Sequence, residues 1–242
     1  MTVRLLIAAL LLTTAGMAHT ESNRLPAIDT YIATLSAVEH AKEPVSLEPL
    51  LKAAEDTQDA LMNLVDGGDK AWLELRSATE YTALKRELRG LKLARGYDTY
   101  AQPDGQYLFK LAKAHGRPED REFFRLYSHF WSREQLPRYL SLGKTPTPCV
   151  RFDQGILPDL YASWGHYAAT YPTAYTGFTQ QTLRDLEEVM VLGVCACGDE
   201  RSVQNELKGF VSRFPNITVA EQIRARLKEL EENRNLHPVH CR

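Results

Sequence analysis

The sequence predicts an all-α protein, with about nine helices in antiparallel pairs that form a bundle or a short irregular solenoid. Three observations carry this expectation. Apolar residues recur at the spacing of one helix face through most of the chain. Helix start and stop residues punctuate it at short intervals. No stretch alternates apolar and polar residues well enough to read as a strand.

The first helix is expected from Leu25 to Lys42, with Ile28, Tyr31, Ile32, Leu35 and Val38 on one face, and Pro44 ends it. Ser46 is the expected N-cap of the second, and Pro49 is tolerated in its first turn. Its stripe is Leu47, Leu50, Leu51, Ala54, Leu61, Leu64 and Val65, and Gly67-Gly68 stops it. Asp69 caps a long third helix from Lys70 to about Arg95, lined by Trp72, Leu75, Leu84, Leu88 and Leu91. Gly96 follows its end, where a left-handed residue is favoured. Asp104 starts a short fourth helix with Tyr107, Leu108 and Leu111, and His115-Gly116 closes it.

Pro118, Glu119 and Asp120 open the fifth helix: proline suits the first helical position and acids suit the first turn. Phe123, Phe124, Leu126, Tyr127, Phe130 and Trp131 lie on more than one side, so this helix should be buried on most faces. Pro137 should kink or divide it, with Ser132 and Gln135 as a capping box for a following helix. Residues 143–155 form the longest break, held irregular by Pro146, Pro148 and Gly155. A sixth helix follows Pro158 to about Thr170, and Thr179 caps a seventh with Leu183, Leu186, Met190 and Gly193 on one stripe. Asp199 caps an eighth that ends at Phe214-Pro215, and Thr218 with Glu221 forms a capping box for a ninth reaching about Arg234.

The first residues indicate export. Arg4 precedes an apolar run from Leu5 to Leu12, and small residues follow it up to Ala18. That order is a secretory signal peptide, with cleavage expected after Ala18. The run is shorter than the ~20 residues of a membrane span. Residues 1–18 are thus a removable leader, and 19–242 are read as a single helical domain, with 143–156 as the place where a sub-domain division would fall. A periplasmic or secreted location follows, with no stable membrane insertion. The formal charge of −2 offers no electrostatic case for nucleic acid. Arg224, Arg226, Lys228 and Arg234 are interleaved with Glu221, Glu229, Glu231 and Glu232, which argues against it again.

Four cysteines in an exported chain read first as two disulfides. Cys195 and Cys197 are two positions apart, about 200° around a helix, so they should not bond each other. Cys149 and Cys241 are then their partners. Cys149–Cys195 with Cys197–Cys241 is the favoured pairing, and the swapped pairing is the alternative. Each bridge would add ~2–4 kcal/mol and staple the C-terminal third. A rival reading takes Cys195, Cys197, His237, His240 and Cys241 as soft and imidazole ligands for zinc or copper, at a spacing that matches no standard finger.

Between the cysteines lies an aromatic stripe at helical spacing: Tyr161, Trp164, Tyr167 and Tyr171. Such a stripe is either a core face or a platform for a sugar ring or a partner's side chain. Arg151 and His166 could supply polar contacts beside it, and Gly165 would permit close approach. No Gly-rich phosphate loop, HExxH, Gly-x-Ser-x-Gly or Ser-x-x-Lys motif is present. The paired acids Glu55-Asp56, Glu119-Asp120 and Glu187-Glu188 are adjacent on helices and diverge, whereas glycosidase carboxylates face each other across a cleft.

The last two helices, about residues 205–230, carry Phe210, Phe214-Pro215-Asn216, Ala220, Ala225 and Leu227. This aromatic–proline turn with small residues resembles tetratricopeptide-type repeats of exported bacterial proteins. The resemblance implies a protein-binding scaffold. The expected function is a non-catalytic interaction module without a cofactor and with a protein partner in the cell envelope, as an inhibitor, an immunity-type protein or a scaffold. One alternative is a cell-wall hydrolase with a site assembled from His129, Asp153, His166 and an acid; the other is the Cys/His metal-binding protein.

Overall fold

A computed structural model describes residues 24–64, 68–96, 99–130, 140–141, 149–152, 155–192, 196 and 199–232. Among them the chain is mostly helical, as expected, with nine α-helices. The expected leader, residues 1–18, lies outside the described residues. No helix among the described residues is long and apolar enough to cross a membrane.

Helices α1 (Pro26–Glu39) and α2 (Glu48–Met62) pack on each other through the faces read from their periodicity. Thr57 joins them: its buried hydroxyl bonds to the Ala53 carbonyl of α2 (2.7 Å) and the Ala27 carbonyl of α1 (3.0 Å). Two details differ from expectation. Leu47, not Ser46, is the N-cap residue and no side chain caps the helix, although Ser46 Oγ accepts the Glu48 N–H at 3.3 Å. The helix also stops at Met62, and Leu64 is 57 % exposed because the chain turns there to bridge Ala71. Val65 and Gly67 lie outside the described residues.

The long third helix does not form. In its place stand a 3₁₀ turn at Trp72–Leu75, helix α3 (Ala78–Glu87) and strand β1 (Leu91–Ala94). Ser77 caps α3, not Asp69; Ser77 accepts the Glu80 N–H, and the Glu80 carboxyl accepts the Ser77 N–H. Gly90 sets the break. It adopts φ +88°, a conformation that ends a helix and that other residues resist. A Cβ there would also lie 2.6 Å from Tyr31 Oη and 2.8 Å from Tyr107 Cδ1. Strand β1 pairs antiparallel with β2 (Tyr100–Pro103), Leu91 opposite Pro103 and Ala94 opposite Tyr100. Each strand has four residues, too few for alternation to stand out against helical spacing.

Helix α4 (Gly105–His115) begins as the sequence indicates, with the Asp104 carboxyl accepting the Gln106 and Tyr107 N–H groups. Helix α5 (Pro118–Phe130) follows after two residues and packs along it. Gly105 makes the close approach possible, since a Cβ there would sit 3.0 Å from Ser128 Cα. The short strands β3 (Leu140–Ser141) and β4 (Cys149–Val150) pair with each other, and Val150 also forms a parallel bridge with Ala196. Pro137 lies outside the described residues.

The last four helices are α6 (Ile156–Thr170), α7 (Thr176–Val191), α8 (Glu200–Arg213) and α9 (Ala220–Glu231). Asp199 caps α8 as expected, accepting the Ser202 N–H. Thr179 does not cap α7; it lies one turn inside, and its hydroxyl bonds back to the Tyr175 carbonyl at 2.9 Å. The N-cap residue is Tyr175, at φ 50°. Thr218 and Glu221 do not box α9, which starts after Val219 without a side-chain cap. Arg226, buried on α9, instead closes the far end of α7, donating from Nη1 to the Met190 and Val189 carbonyls.

The core is one buried cluster running from Ile28 to Leu230, with Phe152 and Leu157 carrying it across the break in the middle of the chain. At its centre Phe123 of α5 stacks on Tyr175 (3.7 Å between centroids, 11° between planes) and meets Trp164, Tyr167 and Phe178 edge-on. Beside this aromatic cluster lies the fully buried carboxyl of Asp120. It accepts the Leu47 N–H, the Arg117 N–H and the Tyr175 hydroxyl at 2.9, 2.9 and 2.6 Å. That one side chain ties the start of α2, the start of α5 and the start of α7.

Candidate binding cavity and cleft

Helix α6 separates two depressions. The first is a cavity of about 540 Å³ bounded by α2, the β1–β2 hairpin, α5, β4, α6 and α7. This lies within the ~300–1,000 Å³ typical of ligand sites. Its walls are apolar: Ala101, Pro103, Tyr127, Leu157, Trp164 and Leu186 are buried there, with Val150, Phe178 and Val189 half-buried. Its polar residues, Gln58, Lys92, Gln102, Gln181, Thr182 and Asp185, are half-buried or exposed.

Helix α7 lends the cavity a single face, Phe178, Gln181, Thr182, Asp185, Leu186 and Val189, at the three-and-four spacing of one stripe. A chain of hydrogen bonds fixes this face. Arg184 Nη2 donates to Gln181 Oε1 (2.7 Å), and Gln181 Nε2 donates to Asp185 Oδ1 (2.6 Å). Lys92 is engaged with Asp104 at 3.4 Å. Burial pushes the Tyr127 hydroxyl above the ordinary tyrosine value, so that side of the wall stays uncharged. Chemically, the cavity suits an apolar group, with amides and a hydroxyl to orient a polar end.

The second depression is a cleft of about 490 Å³ among α4, α5 and α6. Lys113 comes from α4, Arg121 and Arg125 from α5, and His166 and Thr170 from α6, over a floor that includes Phe109, Tyr167 and Tyr171. Its one carboxylate, Glu122, is bound by Arg125 through both Nε (2.8 Å) and Nη2 (2.7 Å). The Arg125 guanidinium holds Glu122 below the usual carboxylate range.

The predicted aromatic stripe is split by the structure. Trp164 and Tyr167 are each 1 % exposed and belong to the core, although Trp164 also forms cavity wall. Tyr161 is half-buried, donates its hydroxyl to Glu187 Oε1 (2.7 Å) and packs against Phe210 and Phe214 of the α8 end. Burial and that bond raise its pKa. Only Tyr171 and His166 reach an open surface together, in the cleft. Arg151 is exposed after β4 and lines neither depression. A Cβ on Gly165 would meet nothing within 4 Å, so no helix approaches closely there.

Cys149 is disulfide-bonded. Cys195, Cys197 and Cys241 lie outside the described residues, as do His237, His240 and Asp153. His129 is exposed on α5 and lines neither depression. Among the described residues no three His, Cys, Asp or Glu side chains converge to hold a metal ion.

Residues that sequence reasoning passed over supply most of both sites. Gln181, Thr182 and Asp185 sit in the α7 cavity stripe, where their polarity hides it from a search for apolar periodicity. Arg121 and Arg125 are one turn apart on α5, a spacing visible in the chain, but Lys113 and His166 join them only through packing. Comparison with protein-family models, with curated proteins and with solved structures finds no match for this chain.

Proposed function

We propose that this protein is an exported, non-catalytic binding module of the cell envelope, and that its partner is a protein whose apolar side chain enters the cavity between α6, α7 and the hairpin. The carrying observation is the cavity itself: apolar walls deep enough to desolvate an aromatic or aliphatic anchor, ringed by Gln58, Gln102, Gln181 and Thr182. Buried anchors inserted into such sockets supply most of the binding energy at protein interfaces. An inhibitor or a scaffold would use the socket alike. The resemblance of the α8–α9 pair to tetratricopeptide-type repeats points the same way.

Capture from envelope extract tests the reading. Wild-type protein should retain one partner in stoichiometric amount, and Thr182→Trp, which places an indole in the socket, should lose it while keeping its helical circular dichroism. A partner held equally by both proteins would overturn the role of the cavity.

The disulfide pattern belongs to the same proposal. We assign Cys149–Cys195 and Cys197–Cys241. The support is the parallel bridge of Val150 with Ala196, which brings the strand that carries Cys149 to Ala196. A disulfide at Cys149 also fits an oxidising compartment, and hence export.

A further inference from the structure

We propose that the cleft among α4, α5 and α6 is a second, independent binding site, for an anionic saccharide: a sugar ring carrying a carboxylate or phosphate group. Three helices deliver the charge. Lys113 stands in the last turn of α4, Arg121 and Arg125 are successive turns of α5, and His166 and Thr170 are successive turns of α6. Three fixed cations therefore face one carboxylate, and that carboxylate is already neutralised by Arg125. Among the described residues neither Lys113 nor Arg121 has a carboxylate partner.

The cations are also positioned. Arg121 donates from Nε to the Gly116 carbonyl at 3.1 Å, which anchors one edge of the guanidinium. Lys113 lies over the Phe109 ring, 4.9 Å from its centroid. A guanidinium held by one edge is preorganised to give paired hydrogen bonds to an oxyanion. The His166 ring and the Thr170 hydroxyl add hydrogen-bonding groups from the opposite wall.

A bare oxyanion would need no aromatic floor. Here Tyr171 is half-buried in the cleft and rests against buried Tyr167, with 5.2 Å between ring centroids. Tyrosine combines an apolar face, which suits the C–H face of a sugar, with a polar tip for its hydroxyls. The cleft shares no residue with the cavity. His166 is two positions beyond Trp164, about 200° around α6, so the helix turns one side to each site. Occupation of one is therefore separable from occupation of the other.

Titration of the full chain with glucose 6-phosphate, glucuronate, glucose and inorganic phosphate, followed by calorimetry, decides the matter. Both anionic sugars should bind saturably and weaken as salt rises, while glucose should not bind. Arg121→Gln and Lys113→Gln should each lower the affinity about tenfold, and Thr182→Trp should leave it unchanged. Failure of both anionic sugars to bind, or unchanged affinity in both cleft variants, would overturn the site. Inorganic phosphate binding as tightly as the sugar phosphate would overturn the part given to the ring.

Discussion

Tyr175 donates its hydroxyl to Asp120 across 2.6 Å in the interior, although the two residues are 55 positions apart. The contact holds the start of α7 against the start of α5, and it sits where the backbone is least comfortable, at a tyrosine with φ 50°. Asp120 is the third residue of α5, where the helix dipole favours negative charge, and its remaining bonds come from two backbone N–H groups. All three contacts on this carboxyl group are donors.

This arrangement orders two substitutions. Tyr175→Phe removes one donor and keeps the ring stack, and should cost ~1–3 kcal/mol. Asp120→Asn should cost more. One oxygen takes the Leu47 N–H and the Tyr175 hydroxyl and the other takes the Arg117 N–H, so an amide nitrogen must face a donor in either orientation. Denaturant unfolding of the two variants checks the order; equal midpoints would remove the carboxyl from the centre of the scheme.

Gly90 and Gly165 should respond to alanine with opposite signs. At Gly90 the new methyl meets Tyr31 Oη and Tyr107 in a left-handed backbone, and the cost should be about 2 kcal/mol or more. At Gly165, inside α6, it meets nothing within 4 Å and should add ~0.8–1.0 kcal/mol of stability through helix propensity. Thermal melts of both proteins separate the two cases.

The tyrosines set an alkaline limit. Burial raises Tyr31, Tyr127, Tyr167 and Tyr175 above the ordinary value, and burial with the Glu39 bond pushes Tyr107 up to about 12. A folded pKa above the unfolded one means that this stability is fully present below about pH 10 and is lost as pH rises further. Absorbance titration should show these buried tyrosines ionising only together with loss of helical signal. A single transition near pH 10 with the helices intact would contradict it.

Peptide mapping without reductant should recover a cross-linked pair joining Cys149 to Cys195. A peptide joining Cys149 to Cys197 or to Cys241 would overturn that pairing.

Much of the helical scheme was legible in the chain because it is local. Asp104, Asp199 and Pro118 mark helix starts through groups within three residues, and the faces of α1 and α2 follow from spacing alone. The errors are also physical. Asp69, Thr179 and Thr218 have cap chemistry, yet each lost to a competing neighbour or to packing. Arg89-Gly90 is the local sign that the helix ends, and leucines that continue at helical spacing into a strand mask it.

By itself the sequence determined the helical class and most of the buried faces, since these depend on residues within a turn of one another. Only the tertiary structure decided the hairpin, the left-handed Tyr175, the buried Asp120 and the two depressions on either side of α6. The hairpin is hidden in strands of only four residues, and the other features depend on distant partners, as Tyr167 with Glu119, 48 residues away, and Asp120 with Leu47, 73 residues away, illustrate. Contacts at that range leave no periodic trace in the chain, and packing alone makes His166 and Lys113 neighbours while burying Trp164, two residues from His166, in the core.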